Sequence, residues 1–231
     1  MNKSKFDGFM NRYNLGGEIE SVMIKSDDST LSVRMISDDK TLLGEVRVNE
    51  TTFPNGEFGI YTTSQLKSLI SVLDEAVSVD EVTGALKFSD KGTKVQYMLA
   101  APSVIPAVPD LKALPPFDVE ITVNDDFVNK FIKSKGALAD ADTFTFTCKG
   151  GSGEIILGYS SINSNRISMN VECKCENDIE PIAFSAKYLK AILMANKGSK
   201  STSMKISSKG LCHLSFTEGE FSTEYYLVEV K

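Results

Sequence analysis

Four stretches of the chain space their apolar residues three, four and seven positions apart, and most of what lies between them alternates. Phe6, Phe9, Met10 and Tyr13 form the first such stripe, and Leu66, Leu69, Ile70 and Leu73 the second. Phe127, Val128, Phe131 and Ile132 make a third, and Leu189, Ile192 and Leu193 a fourth. Each predicts an amphipathic helix with one face on a core. Start signals precede three of them. Thr62 with Gln65 three residues on reads as a capping box, Asn124-Asp125-Asp126 supplies a cap and favourable charge, and Ser185 opens the last helix.

The intervening runs TLSVRMI, TLLGEVRV and TKVQYML in the first half alternate apolar and polar residues between Asp-Asp or Asp-Lys-Gly turns. TFTFTCK, GEIILGYS, RISMNVECK, SMKISS, CHLSFT and TEYYLVEV do the same in the second. These predict antiparallel strands. The first and third helices lie 121 residues apart (Phe6 to Phe127), and the second and fourth 123 (Leu66 to Leu189). A near-constant offset with little shared sequence reads as an architectural duplication. The expected fold class is α+β, with two domains that each carry antiparallel sheets and two helices.

Five of the seven prolines fall between Pro102 and Pro116. Such a segment suits neither a helix nor a central strand, and its stiffness suits an extended connector over about 101–118. The expected domains are 1–108 and 109–231.

Composition changes this picture in two places. The net charge of −6 and pI near 5.0 argue alone against a nucleic-acid partner. Yet Ser185 to Lys209 holds six lysines (187, 190, 197, 200, 205 and 209) and no acidic residue, so the rest carries −12. Lys187, Lys190, Met194 and Lys197 form one helical stripe opposite Leu189 and Ile192. Lys130 with Lys133, and Lys5 with Arg12, similarly lie opposite the apolar faces of their helices, whereas the second helix offers only Lys67. An acidic body with basic helical faces is polarised. The amino-terminal residues form no apolar leader, the longest uncharged stretch (Met98–Pro109) holds three prolines, and no membrane partner is expected. A cytoplasmic protein, in the host cytoplasm if viral, is expected.

Catalytic constellations are sparse. His213, the sole histidine, has no partner for nucleophilic chemistry in the sequence, and Gly150-Gly151-Ser152-Gly153 lacks the Lys-Ser/Thr of a phosphate loop, reading as a hairpin turn. Cys148, Cys173, Cys175 and Cys212 read as buried thiols, not as a metal or disulfide set. No enzyme activity, cofactor or metal is expected. From residues alone, a monomeric protein-interaction factor and a monomeric charge-driven processivity factor stay open.

The run FSAKYLKAILMANKGSKSTSMKISSKGLCHLSFTEGEFSTEYYLVEV resembles the carboxy-terminal half-domain of replication sliding clamps, with a helix opening FSxKYLK and a closing Tyr-Tyr-Leu strand. Proliferating cell nuclear antigen shares that pattern. EFGIYTTSQLKSLISVL and the short first helix are more similar to the clamps of T-even-type bacteriophages. The resemblance implies a homotrimer whose six domains form a ring around duplex DNA, tethering a replicative DNA polymerase and loaded by a clamp loader ATPase. It implies DNA-facing residues Lys3, Lys5, Arg12, Lys67, Lys130, Lys133, Lys187, Lys190, Lys197 and Lys200. It implies a pocket for a partner's apolar peptide at Ile36, Leu43, Leu111, Leu114, Tyr226, Leu227 and Val228. The nuclear clamp has a proline after its Tyr-Tyr-Leu strand, where this chain has Val228-Glu229. Subunits would join by pairing Lys94–Leu99 with Asn165–Cys173, through Lys94, Tyr97, Leu99, Arg166, Ser168 and Asn170.

Overall fold

The computed structural model describes all residues except Met1, Lys112, 160–164, Glu176 and Lys200. The chain divides into two units. Unit 1 comprises Met1–Ser37, Gly44–Pro109 and Gly219–Thr223, and unit 2 comprises Asp38–Leu43, Asp110–Glu218 and Glu224–Lys231.

In unit 1 the chain begins with α1 (Lys3–Asn14), where the Asn2 side chain accepts from Lys5 N at 2.7 Å. The helix ends because Leu15 turns left-handed (φ 51°) and Gly16 and Gly17 continue with positive φ, a conformation that glycine adopts at little cost. Phe6, Phe9, Met10 and Tyr13 are almost wholly buried. Each such side chain contributes about 1.5–3 kcal/mol through burial. Strands β1 (Val22–Asp27), β2 (Thr30–Ile36), β3 (Leu42–Val48) and β4 (Gly56–Ile60) follow, in spatial order β3-β2-β1-β4. The β1–β2 hairpin turns on Asp28 and Ser29, both at positive φ, as a two-residue turn between right-twisted strands requires. Then come α2 (Thr63–Ile70) and a separate antiparallel sheet of β5 (Ser78–Val82), β6 (Ala85–Ser89) and β7 (Lys94–Met98).

The capping box expected for α2 is replaced by a long-range cap. Thr62 makes no side-chain cap hydrogen bond. Instead Ser64 N donates to Glu20 Oε2 at 2.8 Å, and Thr63 donates to the Glu20 carbonyl through its N (3.0 Å) and Oγ1 (2.8 Å). A carboxylate at the positive end of the helix dipole does the work assigned to the local pair, and Gln65 is left exposed.

Unit 2 opens with β8 (Val119–Ile121) and α3 (Asp125–Ala137), whose cap is as expected: Phe127 N donates to Asn124 Oδ1 at 2.9 Å. Strands β9 (Thr143–Lys149), β10 (Ser152–Leu157), β11 (Ile167–Val171), β12 (Cys173–Cys175) and β13 (Ile179–Ser185) lead to α4 (Ala186–Ala195). Then β14 (Ser201–Ser207), β15 (Leu211–Glu218) and β16 (Phe221–Val228) close the chain. One sheet has the order β11-β10-β9-β13, and β12-β8-β14-β15-β16 run side by side in another. Gly150-Gly151 is the β9–β10 hairpin turn, both at positive φ.

The fold is therefore α+β, with antiparallel sheets and four helices in two units of related plan. In each, a helix is followed by strands, a second helix and three closing strands, and the two helices pack on one another.

Candidate functional site

The helix pair of unit 2 presents its apolar face to the sheet and lysines to solvent. Phe131 is fully buried, edge-on to Phe144 at 5.6 Å, and Leu189, Ile192 and Leu193 are buried on α4. One helical half-turn away, Lys130 and Lys133 on α3 and Lys187 on α4 are exposed, Lys190 is half-buried, and Lys197 is exposed in the turn that follows α4. Met194 stands among the α4 lysines and is 56% exposed. Lys130 pairs with Asp126 one turn earlier (2.8 Å), both side chains well exposed, an arrangement worth only a few tenths of a kcal/mol. Lys187 Nζ lies 4.7 Å from the Tyr188 ring centre, and the Tyr188 hydroxyl donates to Asp39 Oδ2 at 3.2 Å. Expected Lys200 lies outside the described residues.

In unit 1, Lys3, Lys5 and Arg12 each make contacts within the protein. Lys3 Nζ donates to the carbonyls of Ser71 (3.0 Å) and Leu73 (2.9 Å), where α2 has run out of hydrogen-bond donors. Lys5 Nζ reaches the Asn49 and Glu50 carbonyls at 3.4 and 3.2 Å, and Glu220 at 3.8 Å. Arg12 is only 9% exposed; its guanidinium sits 4.1 Å over the Phe221 ring and Nη1 donates to Gly8 O at 3.1 Å. The spacing put Lys5 and Arg12 on one face correctly, but Gly219–Thr223 covers that face. Lys67 is half-buried near Asp7, whose pKa is raised by burial against the pull of Lys3 and Lys67. The exposed residues of α1 and α2 include the uncharged Asn11, Ser64, Gln65 and Ser68, and those just after α2 include Ser71, Val72 and the acidic Asp74 and Glu75.

The residues expected in a peptide pocket separate by strand parity. On β16, Tyr225 and Leu227 are fully buried and share one face of the strand. Tyr226 points the other way. Its ring stacks on His213 (4.7 Å, 17°), and Phe117 also stacks on His213 (5.7 Å, 30°). The Tyr226 hydroxyl donates to Glu224 Oε2 at 2.7 Å, and that oxygen lies 3.9 Å from His213 Nε2. Burial lowers the His213 pKa, with Lys205 acting the same way and Glu224 opposing. Leu111 and Leu114 are 44% and 41% exposed, and Leu43 and Val228 are half-buried. Ile36 is half-buried in unit 1. The outward aromatic cluster Phe117–His213–Tyr226 was missed in the sequence. Its signal was there: Cys212, Leu214 and Phe216 point inward, so His213 between them points outward.

The two segments expected to join subunits are edge strands: β7 ends the sheet of β5-β6-β7, and β11 ends the sheet of unit 2. Ser168 and Asn170 face outward on β11, with Arg166 exposed just before it, and Lys94 is exposed on β7. Tyr97 is not an outward residue. It is 4% exposed, and its hydroxyl both accepts from Thr62 N (3.2 Å) and donates to Thr62 O (3.3 Å), so its ring belongs to unit 1's own core. Alternation leaves Gln96 and Met98 (64% exposed) on the open face with Lys94, and Leu99 is half-buried.

Among the described residues, no three His, Cys, Asp or Glu side chains are grouped to hold a metal ion. No family model and no curated protein matches the sequence. Solved structures do. The chain superimposes over its whole length on proliferating cellular nuclear antigen from Entamoeba histolytica, with a TM-score of 0.76, 13% identity and 96% of that chain covered. This is the sliding-clamp fold. The same fold relates it to a chain of the PCNA2–PCNA3 complex from Sulfolobus tokodaii (TM-score 0.73, 12% identity, 99% of this chain and 97% of that one). It also relates it to A. fulgidus PCNA, solved with the C-terminal region of FEN-1 (TM-score 0.74, 16% identity, 100% and 97% covered).

Proposed function

We propose that this chain is a non-enzymatic DNA sliding clamp of the T-even bacteriophage type, three copies of which close around duplex DNA and tether a replicative polymerase. The observation that carries the reading is that β7 and β11 are edge strands of their sheets among the described residues, in a clamp fold. An exposed edge strand invites pairing with another chain, and joining β7 of one copy to β11 of the next satisfies both. Lys94, Met98, Arg166, Ser168 and Asn170 would meet there.

The lysines of α3 and α4 would face the duplex. Phosphate attraction of this kind is sequence-independent and falls with salt, which suits a protein that must slide. Phe117, His213, Tyr226, Leu111 and Leu114 would take the apolar anchor of a polymerase tail. The ring would be placed on DNA by a clamp loader, whose ATP chemistry this chain has no need to supply.

Two measurements test the proposal together. Sedimentation equilibrium should give a mass near three times 25.2 kDa. Protein loaded onto nicked circular DNA should survive a moderate salt wash and leave once the circle is linearised. A monomer that washes from circles and linear DNA equally fast would instead be a charge-driven processivity factor.

A further inference from the structure

Three of the four cysteines converge in unit 2. Cys148 on β9 is fully buried, and Cys173 and Cys175 on β12 are half-buried. In the β9–β10 ladder Cys148 stands directly opposite Gly153. Residues so paired project to the same face with Cβ positions about 4.5–5.5 Å apart. A Cβ at Gly153 would lie only 2.6 Å from Cys173 Sγ, with Val171 at 3.1 Å and Phe146 at 3.3 Å. The Cys173 sulfur therefore sits over the glycine, beside Cys148, in space that exists because residue 153 has no side chain. Cys175 lies two positions along β12 on the same face, and its thiol donates to the Asn177 carbonyl at 2.9 Å. Burial and then the neighbouring Cys148 raise the Cys173 pKa and push Cys175 up to about 12. Cys212 is buried on β15, outside this cluster.

We propose that Cys148 and Cys173 form a thiol–disulfide exchange pair, with Cys175 as a third thiol in reach, whose oxidation staples β9 to β12 and so links the two sheets of unit 2. Cys173, the more accessible, reacts first. Its thiolate attacks a sulfur of a small aliphatic disulfide such as oxidised glutathione, the S–S bond breaks, and one glutathione thiolate leaves and takes up the proton that Cys173 released. The Cys148 thiolate then attacks the Cys173 sulfur and expels the second glutathione. Two protein thiols are oxidised and one disulfide is reduced to two thiols. Raised thiol pKa values keep the thiolate fraction small, so exchange is slow near neutral pH and accelerates as pH rises. Cys173 follows the end of β11 by two residues, so the bond also anchors that edge strand.

The folded chain is incubated with oxidised glutathione at mildly alkaline pH, alkylated, digested and mapped by mass spectrometry. A peptide linking Cys148 to Cys173 is expected, with a thermal midpoint that rises on oxidation and falls back with dithiothreitol. Hydrogen exchange in β11 should slow in the oxidised form. Cys175→Ser should oxidise as the parent does, Cys148→Ser should stop at a glutathione adduct on Cys173, and Gly153→Ala should slow the link at least tenfold by displacing the sulfur. Should Cys148→Ser fail to fold, the Cys175→Ser and Gly153→Ala rates still decide. Four free thiols after long incubation, adducts without a protein disulfide, or unchanged kinetics in Gly153→Ala would overturn the proposal.

Discussion

The two helix pairs share a plan and differ in what their basic residues do. In α1–α2 the cations are committed to the protein: Lys3 to carbonyls at the end of α2, Lys5 to the Asn49–Glu50 turn, Arg12 to Phe221. On α3, on α4 and in the turn after it, Lys130, Lys133, Lys187 and Lys197 are exposed. Basic residues on helical faces are held by carbonyls and an aromatic ring in one unit and are largely exposed in the other. The difference lies in what packs beside each helix, not in the helix itself. A lysine stripe thus becomes evidence for an anionic ligand only once its neighbours are known.

The sharpest way to break this contrast is by DNA binding. Replacing Lys130, Lys133, Lys187 and Lys197 by Ala should weaken affinity for duplex DNA by at least an order of magnitude at low salt. The slope of log K against log salt should flatten by roughly 0.9 for each phosphate that is no longer neutralised. Replacing Lys3 and Lys5 should change the slope far less. Fluorescence anisotropy across a salt series measures both. Equal losses from the two sets would mean that the unit 1 cations also reach DNA and that the contrast is false.

Stability should order the two units the other way round. Arg12→Ala removes a stacked, nearly buried guanidinium together with its aliphatic stem, and should cost about 1–2 kcal/mol in urea unfolding. Lys133→Ala, on an exposed face, should stay within about 0.5 kcal/mol of the parent. The caps offer a finer test. Glu20→Ala should cost about 1 kcal/mol by uncapping α2, close to the cost of Asn124→Ala at α3, although one cap is remote and the other local. Thr62→Ala should cost less than either, since its side chain makes no cap bond.

These comparisons mark where the sequence was legible. All four helices came from apolar periodicity, and the caps of α3 and α4 from Asn124 and Ser185, because those signals are local. The Glu20 cap was hidden, since it arrives from 44 residues away. The burial of Arg12 was hidden for the same reason, because Phe221 lies near the far end of the chain. Leu227 and Tyr97, expected in a peptide pocket and at a subunit interface, are buried, and alternation from Tyr225 and Val95 already places both inward. The resemblance suggested segments, and parity was needed to choose residues within them. His213 shows the converse: its outward position was readable, but its aromatic neighbours come from two other parts of unit 2.

The smallest expected effect comes from acid, and it again separates the units. In unit 1, Asp90 accepts backbone hydrogen bonds from Asp74, Gly92 and Thr93, tying the loop after α2 to the β6–β7 turn. Glu75 accepts from the Ser4 amide and hydroxyl, fastening the start of α1. In unit 2, Asp118 accepts from Ser208 N at the β14–β15 turn. Hydrogen bonds from these donors lower the pKa of all three carboxylates below their ordinary values of 3.8 for Asp and 4.5 for Glu. A group whose folded-state pKa is depressed stabilises the fold fully above its unfolded value, and that contribution disappears as pH falls through the folded-state value. The loss therefore begins below about pH 4.5, with no change expected from these three groups between neutrality and pH 5. All three groups are highly solvated, so the effect should appear as local loosening and not as global unfolding. Hydrogen exchange, corrected for its intrinsic pH dependence, should show the start of α1 and the β6–β7 turn opening on acidification. Asp90→Asn keeps an acceptor oxygen but not the charge, so it should flatten the response of the β6–β7 turn and leave the β14–β15 turn as it was. An unchanged acid response in Asp90→Asn would show that the turn is held by its backbone geometry, with the carboxylate a bystander.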